Sequence, residues 1–194
     1  MPYGELTLLT GPMFAEKTNT LVKEILFRTY FGDSERSAVY KADFDSRYEH
    51  ECVVSHDGMK VDATIIRHAD QIETSGLKWA FFDEVQFFTT PNFDGDIVDR
   101  IPALRENGTH VFCAGLNMDY MGRAFEVTAS LMAEATKIER LTASCSVCAG
   151  PATHTARIEP LFNRFALGSG ETYSPMCARH WFEDRQAKTR KDDS

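Results

Sequence analysis

The sequence predicts an α/β protein built on a mainly parallel sheet, and three observations predict it. Apolar runs of strand length recur along the first part of the chain, helix-compatible polar stretches separate several of them, and this alternation stops near Leu141. A parallel strand can be reached only by a crossover, so a strand–helix rhythm is what such a sheet requires.

The runs are ELTLLT (5–10), SAVYK (37–41), KWAFFD (78–83) and THVFCAG (109–115), each read as a strand. After the first strand, Lys17 to Tyr30 sets Leu21, Val22, Ile25, Leu26 and Tyr30 close to helical spacing, with charges on the other face. Asn92 to Asn107, with Ile97, Val98, Ile101 and Leu104, reads as a second helix despite Pro102, and Asn107-Gly108 ends it as a C-cap pair. From Leu141 onward cysteines, prolines, glycines and short apolar stretches dominate. The expected division is therefore an α/β unit at 1–140, a small metal-binding unit at 141–187 and a flexible, almost wholly polar tail at 188–194.

Composition narrows the function. A chain of 194 residues, 43% apolar and 26% charged, can bury one sizeable core with a small appendage. A net charge of −8 argues against a general nucleic-acid binder, whose affinity comes from clustered Lys and Arg. The first residues lack a basic segment and carry Glu5, and no run approaches the roughly 18 apolar residues of a membrane helix, so no membrane partner and a cytoplasmic location are expected. Five cysteines, three of them late in the chain, suit a metal site in a reducing compartment better than a disulfide framework. Cys113, in an apolar strand, reads as core, and Cys52 as a strand residue.

Three motifs carry chemistry. The loop GPMFAEKT, Gly11 to Thr18, lies between a strand and a helix start, where successive backbone N–H groups cradle phosphates, Lys17 neutralises the outer ones and the Thr18 hydroxyl ligates Mg²⁺. Glu16 stands where that pattern wants glycine. A second reading of the loop stays open, in which Lys17 and Thr18 begin an ordinary amphipathic helix with Glu16 at its positive end. Next, KWAFFDE ends a buried strand in Asp83 and Glu84, a pair able to divide the work between organising a metal and accepting a proton, although acids also end strands as plain turn residues. Last, Cys145-Ser-Val-Cys148 and Cys177-Ala-Arg-His180 are two ligand pairs at knuckle spacing, together a closed Cys₃His set for a structural Zn²⁺.

The loop GPMF-x-x-KT, the acids of DEVQFF, the segment AGLNMDYMGRAF and the two ligand pairs, in this order and over essentially the whole chain, resemble the type II thymidine kinases. The resemblance implies a P-loop NTPase-like domain with a zinc-bearing lasso, usually a homotetramer, that phosphorylates the 5′-hydroxyl of thymidine or deoxyuridine with ATP and Mg²⁺. It implies Glu84 as general base, and Gly11, Pro12, Met13, Phe14, Ala15, Glu16, Lys17, Thr18, Asp57 and Asp83 as the nucleotide and Mg²⁺ site. For the nucleoside it implies Met13, Phe87, Leu116, Tyr120, Phe125 and Tyr173 as contacts, with the backbone of Leu167, Gly168, Ser169 and Gly170 reading the thymine edge. Asp57 reads equally well as a turn residue in SHDG, and the glycines of the lasso as a flexible loop. The chain departs from the family at Glu16, Asn117, Ala124 and Ser169, where glycine, aspartate, proline and glycine are usual. Only Glu16 bears directly on the chemistry, by adding a negative charge beside the phosphates; it leaves open a homologue that binds nucleoside or nucleotide with impaired catalysis. Arg123 and Arg157 carry no assigned role.

Overall fold

The computed structural model describes residues 2–30, 36–43, 52–54, 57–158 and 172–192. In chain order its first half runs β1 (Leu6–Gly11), α1 (Lys17–Tyr30), β2 (Ser37–Ala42), β3 (Cys52–Val54), β4 (Lys60–Asp62), β5 (Thr64–Ile66) and β6 (Trp79–Asp83). Then follow α2 (Ile97–Glu106), β7 (His110–Leu116), α3 (Glu126–Glu134) and β8 (Lys137–Arg140). Six of these strands form one sheet in the order β5-β2-β6-β7-β1-β8, every pair parallel. β3 and β4 form a separate antiparallel pair.

Both faces of the sheet are covered, and the side-chain alternation shows how. Leu6, Leu8, Ala80, Phe82, Val111 and Cys113 point to a core shared with Ile97, Ile101 and Leu104 of α2 and Val127 and Leu131 of α3. Their odd-numbered or even-numbered neighbours Leu9, Phe81, Phe112 and Ala114 meet Leu21 and Ile25 of α1 on the other face. Near-continuous apolar runs are what a sheet buried on both sides needs. Each fully buried Leu or Phe contributes about 1.5–3 kcal/mol. Phe82 stacks on Tyr40 at 5.1 Å and meets Phe88 edge-on at 5.7 Å, which fixes β6 at the centre of the larger core.

The helix expected from Asn92 begins instead at Ile97. Residues 92–96 turn back on the Thr89 carbonyl and bury Phe93, and Asp96 caps the helix by accepting from the Val98 N–H at 2.8 Å. Pro102 lies inside α2, where it leaves the Val98 carbonyl without its usual intrahelical donor. Asn107 is the C-cap and Gly108, at φ 80°, the left-handed residue after it.

Beyond β8 come two small antiparallel ribbons, β9 (Ala143–Ser144) with β10 (Pro151–Ala152) and β11 (His154–Arg157) with β12 (Tyr173–Met176), then α4 (Ala178–Asp192). The polar stretch expected to be a tail is helical as far as Asp192. Its Lys and Arg residues favour helix, and the pairs Arg179–Glu183 (3.0 Å) and Lys188–Asp184 (2.7 Å) brace one side of α4. Among the described residues no helix is long and apolar enough to cross a membrane.

Candidate active site

β1 and β6 flank β7 in the sheet, so the loops leaving their carboxyl ends converge, where open parallel sheets form their binding crevice. Gly11 closes β1; a Cβ there would lie 2.3 Å from the Leu141 carbonyl oxygen, so no larger residue fits. The chain then passes through Phe14 (φ 65°) and Glu16 (φ 58°), both left-handed, with Ala15 buried between them. Lys17 opens α1 with its ammonium donating to the Pro12 carbonyl at 2.7 Å. Burial pulls the pKa of Lys17 down, and the carboxylates of Glu84, Asp83 and Glu16 oppose that shift.

The Thr18 hydroxyl lies 3.2 Å from each carboxylate oxygen of Asp83, joining the start of α1 to the end of β6. A hydroxyl paired with a carboxylate is an all-oxygen donor set that fits a hydrated Mg²⁺. Burial first, and then the Glu84 charge, push the Asp83 carboxyl up to about 7, while Thr18 and Lys41 act in the opposite direction. Lys41 sits directly across from Asp83 in the β2–β6 register. A cation placed here would restore the ionised form.

Glu16 is exposed, and its carboxylate accepts from Asn19 Nδ2 at 2.8 Å. The same amide nitrogen reaches Asp57 Oδ2 at 3.3 Å. Asn19 thus gathers Glu16 and Asp57 along the first turn of α1. A left-handed backbone costs a non-glycine residue on the order of 1 kcal/mol, which Glu16 bears at this position.

Glu84 also has left-handed geometry (φ 54°, ψ 47°) and leads into a short 3-10 turn, Val85–Phe87. Gln86, within that turn, donates through Nε2 to Glu84 Oε2 and accepts at Oε1 from the Leu116 N–H at 3.0 Å. Phe87 is buried on the turn, and Phe125 at the N-cap of α3. Leu116 at the end of β7 and Tyr120 on the loop after it are half-buried. The Arg157 guanidinium lies 4.7 Å from the Tyr120 ring and 6.0 Å from the ring of Tyr173, which is buried in β12. Arg123 is exposed, and its main chain closes a turn on Asp119. The half-buried Met13 donates its N–H to Thr155 Oγ1 of β11 at 3.0 Å, so the loop after β1 touches the second ribbon. Leu167, Gly168, Ser169 and Gly170 lie outside the described residues.

Sequence reasoning missed Asn19, Gln86 and Thr155. Gln86 stood inside the quoted DEVQFF; Asn19 meets Glu16 nearby in sequence but reaches Asp57 only through the fold, and the partner of Thr155 is remote in sequence.

Cys145, Cys148, Cys177 and His180 bring their ligand atoms within 4.8 Å of one another. His180 Nδ1 lies 3.5 Å from Cys145 Sγ and 3.3 Å from Cys177 Sγ. Tetrahedral zinc with ordinary Zn–S and Zn–N bonds puts sulfur and nitrogen about 3.5 Å apart, so the set fits that ion. Backbone N–H groups, that of Cys177 above all, hold the Cys145 thiol down at about 5, ready to ligate as thiolate. From this knuckle α4 leads back to the site: Trp181 Nε1 donates to the Tyr120 carbonyl at 3.2 Å, and Arg185 to that of Met121 at 2.7 Å.

Comparison with known proteins agrees with this geometry. The thymidine kinase family profile matches residues 4–181. A thymidine kinase of Pyrobaculum aerophilum is 36% identical over 183 residues, covering 91% of this chain and 97% of that protein. A thymidine kinase of Thermococcus kodakarensis is 33% identical over 193 residues, covering 92% and 94%. With a phosphate-type loop, a strand-end acid pair and a Cys₃His knuckle all within the matched span, the chain belongs to the thymidine kinase family.

Proposed function

We propose that this protein transfers the γ-phosphoryl group of ATP to the 5′-hydroxyl of thymidine or deoxyuridine. The observation that carries the reading is the meeting of Thr18 and Asp83, with Glu84 next in the chain, at the mouth of the loop that ends in Lys17. Phosphoryl transfer asks a protein mainly to position groups and offset charge, and these residues suffice for both.

The backbone N–H groups of the loop from Phe14 to Thr18 hold the ATP phosphates, since Pro12 has no N–H and that of Met13 is taken by Thr155, with Lys17 turning from the Pro12 carbonyl to their outer oxygens. Thr18, Asp83 and Asp57 would hold Mg²⁺, which when bound would offset phosphate charge. Glu84 accepts the 5′-hydroxyl proton as that oxygen forms its bond to the γ-phosphorus; the bond from phosphorus to ADP breaks, and ADP leaves with the electron pair. Phe87, Leu116, Tyr120, Phe125 and Met13 wall the pyrimidine, Tyr173 lies by the sugar, and backbone of 167–170 reads the base edge. Zn²⁺ in the Cys₃His set is structural, since the protein fills all four positions.

The chain divides into an α/β unit at 1–140 and a lasso unit from 141, with α4 running past the earlier limit of 187. A homotetramer in the cytoplasm is the assembly the family implies.

The test is product analysis after incubation with ATP, Mg²⁺ and thymidine. Thymidine 5′-monophosphate and ADP in equal amounts are expected, and deoxyuridine in place of thymidine gives its own monophosphate. ADP released without nucleotide product would contradict the reading.

A further inference from the structure

We propose that Gln86 is a positioning residue for the Glu84 carboxylate, a clamp that ties it to the end of β7. The inference rests on the reading of Glu84 as the base. Gln86 is 4% exposed, and a buried amide must find partners for its polar atoms. Both partners lie at the site: Glu84 Oε2 accepts from Nε2, and the Leu116 N–H donates to Oε1. One side chain therefore bridges the turn that follows β6 and the last residue of β7.

The surroundings make that bridge stiff. Glu84 has left-handed backbone and no side-chain cap bond of its own, so the turn by itself leaves its carboxylate without an anchor to that backbone. The turn also sits hard against β7. A Cβ added to Gly115 would lie 2.6 Å from Val85 Cγ2 and 2.8 Å from Gln86 Oε1. The amide donor occupies one oxygen of Glu84 and leaves the other for the nucleoside hydroxyl. A base held in one rotamer needs no reorganisation when the hydroxyl arrives, and small misplacements of such a group are costly in rate.

The amide has two jobs that substitution can separate. In Gln86→Glu the ionised side chain keeps an oxygen for the Leu116 N–H but loses the donor to Glu84 and adds a like charge beside it. Gln86→Met removes the donor without adding charge, and a loss common to both variants is that of the clamp. Steady-state kinetics with ATP and thymidine would compare the parent, Gln86→Glu, Gln86→Met, Glu84→Ala and the Gln86→Glu/Glu84→Ala double variant, with thermal midpoints measured alongside. Expected for Gln86→Glu is a kcat at least about tenfold lower, with both KM values within about threefold of the parent. In the Glu84→Ala background the same substitution should change the residual rate by less than about threefold, because a clamp with nothing to hold does no work.

Parental kcat in Gln86→Glu, with Glu84→Ala inactive, would overturn the clamp and leave the base reading standing. Equal losses in both backgrounds would show a merely structural residue and also overturn it. Parental kcat in Glu84→Ala would defeat the base reading, and the clamp with it. Should Gln86→Glu not fold, Gln86→Met, of similar volume and without the donor, answers the same kcat comparison.

Discussion

On the proposed reading, the charge at position 16 tunes how tightly the loop from Gly11 to Thr18 holds ATP. A like charge about 4 Å from a phosphate costs ~1 kcal/mol when fully solvated and ~4 kcal/mol at an effective dielectric of 20. Glu16 is exposed and tied to Asn19, which places it at the solvated end of that range. Its charge also supports the buried Lys17 ammonium, offsetting part of the penalty. Glu16→Gly is therefore predicted to lower the KM for ATP by several-fold, less than about tenfold, with kcat nearly unchanged; ATP titration at saturating thymidine measures it. Asn19→Ala should do the reverse, raising that KM by releasing the Glu16 carboxylate, and should have no such effect once Glu16 is glycine. A rise of equal size in both backgrounds would show that Asn19 acts on the nucleotide by another route.

Among the elements, the β6–turn–β7 unit joins core to site. Phe81 and Phe82 lock β6 between two cores, and that rigidity carries Asp83 and Glu84 to a fixed place at its end. Gly115→Ala forces a Cβ into Val85 and Gln86, and overpacking of this kind costs about 1–3 kcal/mol. For a chain of this size a lowering of the thermal midpoint by about 2–12 °C follows, measurable by calorimetry, together with a fall in kcat. These strands were legible in the sequence because burial on both faces demands unbroken apolar runs such as KWAFFD. β8 was not, since its Lys-Ile-Glu-Arg is an exposed edge strand of mixed polarity. α2 starts later than expected because residues 92 and 93 close a turn on the Thr89 carbonyl that buries Phe93, and Asp96 caps the helix. Thr155 was invisible for a different reason, since its partner Met13 lies 142 residues away, and the link from Asn19 to Asp57 spans 38 residues.

Across the whole molecule, the ribbons and α4 after β8 make direct contacts with the loops after β1 and β7. Thr155 holds the Met13 N–H, Arg157 stacks on Tyr120, and Trp181 and Arg185 hold the loop that carries Tyr120. All of these come from the ribbons and α4, which border the Cys₃His cluster, and a metal bound there would contribute folding energy directly. Chelation of zinc should change the fluorescence of Trp181, the neighbour of His180, and raise the KM for thymidine. Unchanged fluorescence and KM after verified zinc loss would separate the knuckle from the site. The central claim, that Glu84 serves as the base beside the Lys17–Thr18–Asp83 cluster, is tested most directly by the kcat of Glu84→Ala against the parent at saturating ATP, Mg²⁺ and thymidine. The account predicts a loss of about 10²–10⁴-fold with ATP binding retained, the range typical of a removed general base. Turnover at the parental rate would contradict it.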